Sequence, residues 1–250
     1  MSLLTVARDL QRRKARERSG KFVAEGVRTV EELLKSGLAI EGVLASPTAS
    51  ENSRSQALLD HARDAGVAVV SVSESEFVSA AGTDAPQGVL AVARAPERTL
   101  DSLPATGLRV LVLDGLQDPG NVGTILRTAA AFGLSATIAL PGTVDLWNAK
   151  VVRGAMGSHF VHPTLACSTA ALAPFLRERG IPLWGADASG TPIPEVRVPA
   201  QWALVVGNEG AGLSPATQAL VADTLALPIS TLVESLNVAV ATGILLFALR

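Results

Sequence analysis

Residues 108–133 read LRVLVLDGLQDPGNVGTILRTAAAFG, and this stretch decides the class of fold. It opens on an uninterrupted apolar run, the kind of strand that is buried between two helix layers in a parallel sheet. The turn Asp118-Pro119-Gly120-Asn121 follows, and Asn121 is suited to cap the next helix. The stretch therefore predicts a strand, a polar turn and a helix, the repeating unit of an α/β fold.

The helix predicted over 121–133 has an apolar stripe and one cation. Val122, Ile125, Leu126 and Ala129 form the stripe. Arg127 lies about 140° around the helix from Val122, at about 100° per residue, and is therefore off the stripe. Its guanidinium is expected to face a binding site, with ordinary surface charge as the alternative.

A second loop, LVVGNEGAGLS (204–214), follows another buried strand. Its glycines, Gly207, Gly210 and Gly212, are spaced G-x-x-G-x-G, which is neither the dinucleotide fingerprint nor a phosphate-binding P-loop. Gly207 would let the backbone approach a ligand closely, and Glu209 adds a carboxylate. A plain turn is the alternative.

A third loop lies in LALPISTLVESLNVAVATG (225–243). Leu227-Pro228 ends a short strand, and Ser235 and Asn237 open a helix over 234–250 that is apolar on all sides and is predicted to be buried. Both polar residues could be simple helix caps. Because open parallel sheets bind ligands at the carboxyl ends of their strands, the three loops are predicted to form one site.

Upstream, strands and helices alternate again between residues 21 and 94. Strands are expected at 40–46, 67–73 and 88–94, and Ser73 with Glu76 has the spacing of a capping box. The segment 95–107 contains small polar residues and a proline, which is typical of a linker. The prediction is a basic arm (1–20), a smaller α/β domain (21–94), a linker (95–107) and a larger parallel-sheet domain (108–250).

Charge is distributed unevenly along the 250 residues. The formal net charge is −2, yet residues 1–30 contain eight basic and three acidic side chains. A basic segment on an acidic body favours phosphate binding, with a solvated helical surface as the alternative. The residues expected to contact phosphates are Arg8, Arg12, Arg13, Lys14, Arg16 and Arg18.

Composition excludes several other classes of protein. One cysteine, Cys167, rules out an internal disulfide framework, and three scattered histidines do not suggest a metal site. The N-terminus lacks the apolar core of a signal peptide, and no window approaches the ~20 apolar residues of a membrane span. A cytoplasmic protein with no membrane partner is expected.

Taken together, the three loops resemble the SpoU class of RNA ribose methyltransferases in the SPOUT superfamily. The resemblance rests on D-x-x-x-D-P-x-N-x-G-x-x-x-R-T-A, then G-N-E-G-x-G-L, then L-P with S-L-N-V-x-V-A, in that order. FVAEGVRTVEELL (22–34) and QGVLAVA (87–93) resemble the small substrate-binding domain that ribosomal-RNA members carry. Ala155 departs from the pattern, because members often have serine there.

The resemblance implies a catalytic α/β domain with a C-terminal trefoil knot, S-adenosylmethionine as methyl donor and no metal. Gly207, Leu227 and Leu236 match the cofactor-contact positions. The family's functional polar positions correspond to Asn121, Arg127, Glu209, Ser235 and Asn237. The resemblance also implies a homodimer in which one subunit supplies the arginine to the other's active site.

The expected reaction is transfer of the methyl group to a ribose 2′-hydroxyl, most simply of large-subunit (23S) ribosomal RNA. Transfer RNA is the rival substrate, and a non-catalytic RNA-binding protein of the same fold is the rival class. A nucleotide-dependent oxidoreductase is disfavoured by the glycine spacing. Since guanidinium stays protonated, Arg127 is expected to clamp a neighbouring phosphate, while a base perturbed by its site is the alternative.

Overall fold

The computed structural model describes residues 1–230 and 232–250, which form strands and helices in alternation along the chain. The strands are β1 (Lys21–Glu25), β2 (Ile40–Ala45), β3 (Val69–Ser71), β4 (Val89–Arg94), β5 (Arg109–Asp114), β6 (Ala136–Ala139), β7 (Thr164–Ala166), β8 (Leu183–Pro192), β9 (Trp202–Gly207) and β10 (Asp223–Ala226). The α-helices are α1 (Leu3–Asp9), α2 (Arg13–Ser19), α3 (Val27–Lys35), α4 (Pro47–Ser50), α5 (Ser53–Asp64), α6 (Glu74–Ala80), α7 (Pro119–Ala131), α8 (Ala149–Gly154), α9 (Ser158–Val161), α10 (Thr169–Glu178), α11 (Pro215–Gln218) and α12 (Val238–Ala248). Single turns of 3-10 helix cover Leu100–Ser102 and Ile193–Glu195.

The chain divides into two compact units. The first contains Met1–Pro96 and Trp147–Val161, and the second contains Glu97–Leu146 and His162–Arg250. The segment 147–161 lies in the middle of the region that the sequence assigned to the larger domain. Its membership of the first unit depends on long-range packing, which local sequence patterns do not reveal.

The first unit is built on a four-stranded sheet of order β1-β4-β2-β3. β4 pairs antiparallel with both β1 and β2, and β3 pairs parallel with β2. Alternate residues of β1, β2 and β4 enter separate cores, so that in β1 Phe22 and Ala24 lie in one and Val23 in the other. Helices therefore cover both faces of this sheet.

The N-terminal helices α1 and α2 belong to this unit and are not a separate arm. Ala7 and Leu10 are buried in the same core as Val23 and Phe77, so this part of the chain covers one face of the sheet. Arg16 is also buried, and its Nη1 donates to the carbonyls of Leu10 at 2.7 Å and Gln11 at 3.0 Å. The expectation that Arg16 contacts phosphate is therefore wrong, because its guanidinium holds the turn between the two helices.

The other predicted phosphate contacts lie on the surface of α1 and α2. Arg8 donates to Ser79 at 2.7 Å, Arg12 pairs with Asp9 across the turn between the two helices, and Arg13 pairs with Glu17 within α2. Lys14 and Arg18 are exposed as well. These five side chains can still meet RNA from a folded surface.

The predicted helix over 145–158 is interrupted. It is replaced by two short helices, α8 and α9, separated by Met156 at φ +52° and Gly157 at φ +90°. Val152 and Phe160 enter the same core as Phe22, whose ring lies 4.4 Å from that of Trp147. The apolar residues of this segment are spaced as in one continuous helix. Tertiary packing nevertheless imposes left-handed backbone at Met156 and Gly157, where the helix breaks.

The second unit is built on a six-stranded, all-parallel sheet of order β10-β8-β9-β5-β6-β7. On one face, Val110, Val112 and Val205 pack in a core with Leu172 and Phe175 of α10. On the other face, α7 and α12 contact each other. The predicted parallel α/β sheet is confirmed, since the described strands all run in one direction.

The C-terminal helix differs from its prediction in two ways. It begins at Val238, because Asn237 caps it and 232–236 remain non-helical. It is also not buried on all sides: Val240, Ile244 and Phe247 are 53%, 44% and 51% exposed. Residues spaced i, i+4 and i+7 share one helix face, so α12 presents an apolar stripe to the outside. No helix among the described residues is long and apolar enough to cross a membrane.

Candidate active site

Three loops meet at the carboxyl edge of the six-stranded sheet. The first joins β5 to α7, the second follows β9 over 208–214, and the third follows β10 and leads into α12. Because all these strands are parallel, their carboxyl ends lie on the same side. The predicted coming together of the three motif segments follows from this topology.

Asn121 joins the three loops through its side-chain amide. Its Nδ2 donates a hydrogen bond to Glu209 Oε1, and its Oδ1 accepts one from Asn237 Nδ2 at 3.0 Å. Asn237 in turn caps α12, because its Oδ1 accepts from the backbone N–H groups of Ala239 and Val240 at 2.9 and 3.3 Å. One residue from each loop thus takes part in a single hydrogen-bonded chain.

The prediction that Asn121 caps α7 is wrong. Asp118 is the N-cap, and its carboxylate accepts from the backbone N–H of Asn121 at 2.7 Å. Asp118 thereby satisfies a free helical N–H and leaves the Asn121 amide available for Glu209 and Asn237.

Two further residues, Asn208 and Asp114, hold the glycine loop, and neither was predicted as a functional residue from the sequence. Asn208 Nδ2 donates to the Gly115 carbonyl at 3.0 Å, and its Oδ1 accepts from Gly210 and Ala211 N–H, both at 3.0 Å. Asp114 is buried and accepts from the Ser214 N–H at 2.7 Å. The signal was present, since a buried acid ending an apolar strand must find a donor.

Gly207 is required by the loop itself. A Cβ there would lie 2.5 Å from both the carbonyl carbon and the oxygen of Gly212, and 2.8 Å from Leu213 N. The expectation that Gly207 lets the backbone approach a ligand stays a prediction, and the structure adds that the chain needs the same space to fold back on itself. The backbone pairing of Asn208 with Gly212 depends on that close approach.

A cleft lies against these loops, and we call it the strand-end cleft. Its apolar part, about 180 Å³, is lined by Leu225, Leu227 and Leu245. Its more polar part, about 380 Å³, is lined by Gly207, Glu209 and the rest of the glycine loop. Ser235 and Leu236 line both parts. An apolar slot that continues into backbone amides and carboxylates suits a ligand with a flat base at one end and a charged tail at the other.

Arg127 is not brought to this cleft within one chain. It is exposed on α7, is absent from the cleft lining, and makes no hydrogen bond or ion pair with any residue that the structure describes. The site residues therefore fall into three groups: Gly207, Glu209, Leu227, Ser235 and Leu236 line the cleft, Asn121 and Asn237 are hydrogen-bonded beside it, and Arg127 lies apart from both.

Histidine and metal chemistry are not built into the cleft. His162 is buried with its ring nitrogen 2.8 Å from Thr137 Oγ1, and burial, with a smaller contribution from Arg98, lowers its pKa to about 4. No group of three or more metal-ligating side chains occurs among residues 1–230 and 232–250.

Comparison with protein families agrees with this geometry. Residues 108–247, more than half of the chain, match the SpoU rRNA Methylase family, and residues 5–91 match the MRM3-like substrate binding domain. The chain therefore belongs to the SpoU rRNA Methylase family, a class of S-adenosylmethionine-dependent RNA 2′-O-methyltransferases. The second match begins within α1, as expected if the N-terminal helices are part of that domain.

Individual proteins are similar over nearly the whole chain. The Bacillus subtilis protein named 23S rRNA (guanosine(2553)-2′-O)-methyltransferase RlmP is 36% identical, over 96% of this chain and 93% of its own length. An AdoMet-bound rRNA methyltransferase from Sinorhizobium meliloti is 29% identical with a TM-score of 0.84, covering 100% of this chain and 96% of that one. The SpoU methyltransferase AviRb from Streptomyces viridochromogenes, in complex with AdoMet, has a TM-score of 0.90 at 25% identity, covering 100% and 97%.

Proposed function

We propose that this protein methylates the ribose 2′-oxygen of a guanosine in 23S ribosomal RNA. The hydrogen-bonded chain Glu209–Asn121–Asn237 carries the proposal, because it fixes the three motif loops around one cleft. The nature of the RNA is supported by the relative from Bacillus subtilis, which matches almost end to end. A cytoplasmic location is part of this proposal and is compatible with the similarity to the Bacillus subtilis ribosomal RNA methyltransferase.

The strand-end cleft fits the methyl donor. Leu227 and Leu236 would pack against its adenine, and the backbone of Gly207 and its loop would hold the polar part. When bound, S-adenosylmethionine supplies a methyl group whose bond to sulfur breaks as the new bond to the 2′-oxygen forms. Glu209 and Ser235 line the polar part, where they would orient the loops and the ribose.

Arg127 has the role of a phosphate clamp in this proposal. A guanidinium stays protonated, so it stabilises negative charge on a neighbouring phosphate and on the oxygen that forms as the hydroxyl loses its proton. The proton passes to a phosphate oxygen or to water. An exposed arginine without an internal partner is suited to bind an external phosphate.

A homodimer would complete the site. The exposed stripe of Val240, Ile244 and Phe247 lies on α12, which contacts α7, the helix that carries Arg127. Contiguous apolar surface of this kind favours association. We infer that a second copy covers this stripe, and that Arg127 of each subunit serves the cleft of the other.

We also infer that the C-terminal segment is threaded as a trefoil knot, as the family resemblance implies. In support, β10 lies at one edge of the sheet, yet Asn237 reaches Asn121 at the start of the helix after the central strand β5. The chain must therefore cross back over the carboxyl edge before α12.

Methyl labelling of purified RNAs tests the proposed substrate. Protein and labelled S-adenosylmethionine are incubated with unmodified 23S ribosomal RNA, 16S ribosomal RNA and transfer RNA, and the modified nucleotide is mapped. Label confined to one guanosine of 23S ribosomal RNA is the expected result. Label in transfer RNA alone would show that transfer RNA is the substrate instead. The absence of label in every RNA would favour a binding protein without methyltransferase activity.

A further inference from the structure

The first unit contains a basic cavity of about 440 Å³ that the reaction described above does not use. Arg28 of α3, Arg54 of α5 and Arg153 of α8 line it. Its volume falls in the ~300–1,000 Å³ range of small-ligand sites. We call it the arginine cavity.

Two segments singled out in the sequence meet at this cavity. The N–H of Gly26 donates to the Val89 carbonyl at 3.0 Å, and the N–H of Val27 donates to Gln87 Oε1, also at 3.0 Å. FVAEGVRTVEELL and QGVLAVA thus come together in the cavity wall. Arg153 arrives from the inserted segment 147–161, which the sequence had placed in the other domain.

The charges in the arginine cavity are only partly balanced internally. Arg54 is held by Glu31 through two hydrogen bonds of 2.8 and 2.6 Å, which also lower the pKa of that carboxyl. Glu25 is buried, and its oxygens accept from the Gly82 N–H at 2.8 Å and from the Thr83 hydroxyl. The hydrogen-bond capacity of these acidic groups is therefore met by residues other than Arg28 and Arg153, although the charge of Arg28 also contributes to lowering the pKa of Glu31.

Arg28 and Arg153 remain without acceptors. Arg28 is exposed and makes no hydrogen bond or ion pair within the described chain. Arg153 Nη1 is buried and likewise has no hydrogen-bond partner there. A buried donor left unsatisfied is costly, and more so when it is charged, so an external acceptor is expected.

The turn that follows Arg153 is fixed against α3. Gly157 has φ +90°, and a Cβ there would lie 2.4 Å from Glu32 Cβ. Met156, which lines the cavity, has a backbone φ of +52°, a conformation that residues other than glycine seldom adopt. The cavity wall is therefore held in place before any ligand arrives.

We propose that the arginine cavity binds one nucleotide of the RNA substrate, with its phosphate held by Arg28 and Arg153. Guanidinium groups match phosphate oxygens in charge and geometry, and a cavity lined by arginines excludes a cation as the ligand. Gln87 and Thr83 also line the cavity, so their amide and hydroxyl would lie near the sugar or base of the bound nucleotide. The inference rests on the proposed RNA substrate.

Salt-dependent RNA binding by full-length protein tests the inference. Arg28→Gln and Arg153→Gln remove one charge each, and Arg63→Gln is the matched control, since Arg63 lies nine residues along α5 from Arg54 and outside the cavity lining. The probes are a 23S ribosomal RNA transcript and a transfer RNA. Each cavity variant should bind RNA about 10-fold more weakly, with the slope of log affinity against log salt reduced by about 0.7–0.9.

The control should retain wild-type affinity and slope, and S-adenosylmethionine affinity should be unchanged in all three variants. Wild-type slopes for both Arg28→Gln and Arg153→Gln would overturn the inference. If Arg153→Gln lowers the melting temperature, Arg28→Gln, on the exposed rim, decides alone. If the cavity variants show reduced slopes on both RNAs but the wild-type protein does not methylate 23S ribosomal RNA, the arginine cavity is a phosphate site and the proposed substrate is wrong.

Discussion

Asn237 Nδ2 donates a hydrogen bond to Asn121 Oδ1 across 3.0 Å, joining two loops 116 positions apart in the chain. The same Asn237 caps α12 through its other side-chain atom. One residue thus caps α12 and connects it to Asn121 at the start of α7, whose amide in turn donates to Glu209. The two roles can be separated by substitution.

Asn237→Asp keeps an oxygen for the cap and removes the donor to Asn121. Because Asp and Asn are equivalent caps, the free energy of unfolding should stay within about 0.5 kcal/mol of wild type, whereas Asn237→Ala should lose about 1 kcal/mol. Methyl transfer should fall at least about 10-fold in both variants, equivalent to about 1.4 kcal/mol of barrier. Denaturant unfolding and initial rates measure the two effects. A wild-type rate for Asn237→Asp would show that the bridge is dispensable.

Gly207→Ala should weaken S-adenosylmethionine binding by distorting the glycine loop. The added Cβ would overlap the Gly212 carbonyl at 2.5 Å, so the loop must shift. Gly210→Ala is the matched control, because its Cβ would meet only Asn208 Oδ1 at 3.7 Å. Calorimetry should give about a 10-fold weaker affinity for the first, about 1.4 kcal/mol, and little change for the second. Equal affinities would remove Gly207 from the cofactor site.

Gly207 and Arg16 have structural roles that depend on tertiary contacts and could not be predicted from the sequence. The glycine spacing located the loop correctly. A side chain at position 207 would, however, collide with the backbone of Gly212, which comes close only when the loop is folded. Likewise, a run of arginines indicated surface charge, yet Arg16 is buried against two carbonyls. Strand and helix positions, by contrast, followed from local apolar patterns and were mostly confirmed.

The C-terminal region illustrates the same limit. An all-apolar helix predicts burial on every side, and the exposed stripe on α12 departs from it. The prediction assumed that the same chain would cover the whole helix, whereas an apolar helix face can also be covered by a second copy of the protein. The segment 147–161 was misassigned for a related reason, since its partners Phe22 and Glu32 lie more than 100 positions away.

Arg127→Ala should abolish turnover without affecting stability or cofactor affinity. The side chain is exposed and unpaired within the described chain, so its loss should change the free energy of unfolding by less than about 0.5 kcal/mol. Loss of one transition-state donor typically costs about 100- to 1,000-fold in rate. Arg127→Lys should rescue poorly, because a point charge replaces a planar fork.

Mixing Arg127→Ala with Gly207→Val subunits extends this test to the dimer, because a branched side chain at Gly207 should abolish cofactor binding where Ala only weakens it. A hybrid has one cleft with an intact glycine loop served by an intact arginine, so activity should return when the two inactive proteins exchange subunits. An active protein that sediments as a monomer, or a mixture that stays inactive despite subunit exchange, would contradict a site shared across the dimer.

The exposed cations of the N-terminal helices should steepen the salt dependence of RNA binding. Lys14→Ala and Arg18→Ala should each reduce the slope by about 0.7–0.9 if the side chain contacts phosphate. Arg16→Leu should instead destabilise the fold by about 1–3 kcal/mol, because two carbonyls lose a charged donor. Truncation of residues 1–18 is a poor test, since it uncovers the sheet face that Ala7 and Leu10 bury. Unchanged slopes would assign Lys14 and Arg18 to solvent.

The position of the transferred methyl group tests the central claim most directly. After reaction with unmodified 23S ribosomal RNA, nuclease digestion and mass spectrometry of the nucleosides distinguish a ribose methyl from a base methyl. The expected product is 2′-O-methylguanosine at one position, with no product when that nucleotide is supplied as its 2′-deoxy form. A methyl group on the base, or full methylation of the 2′-deoxy substrate, would contradict the account.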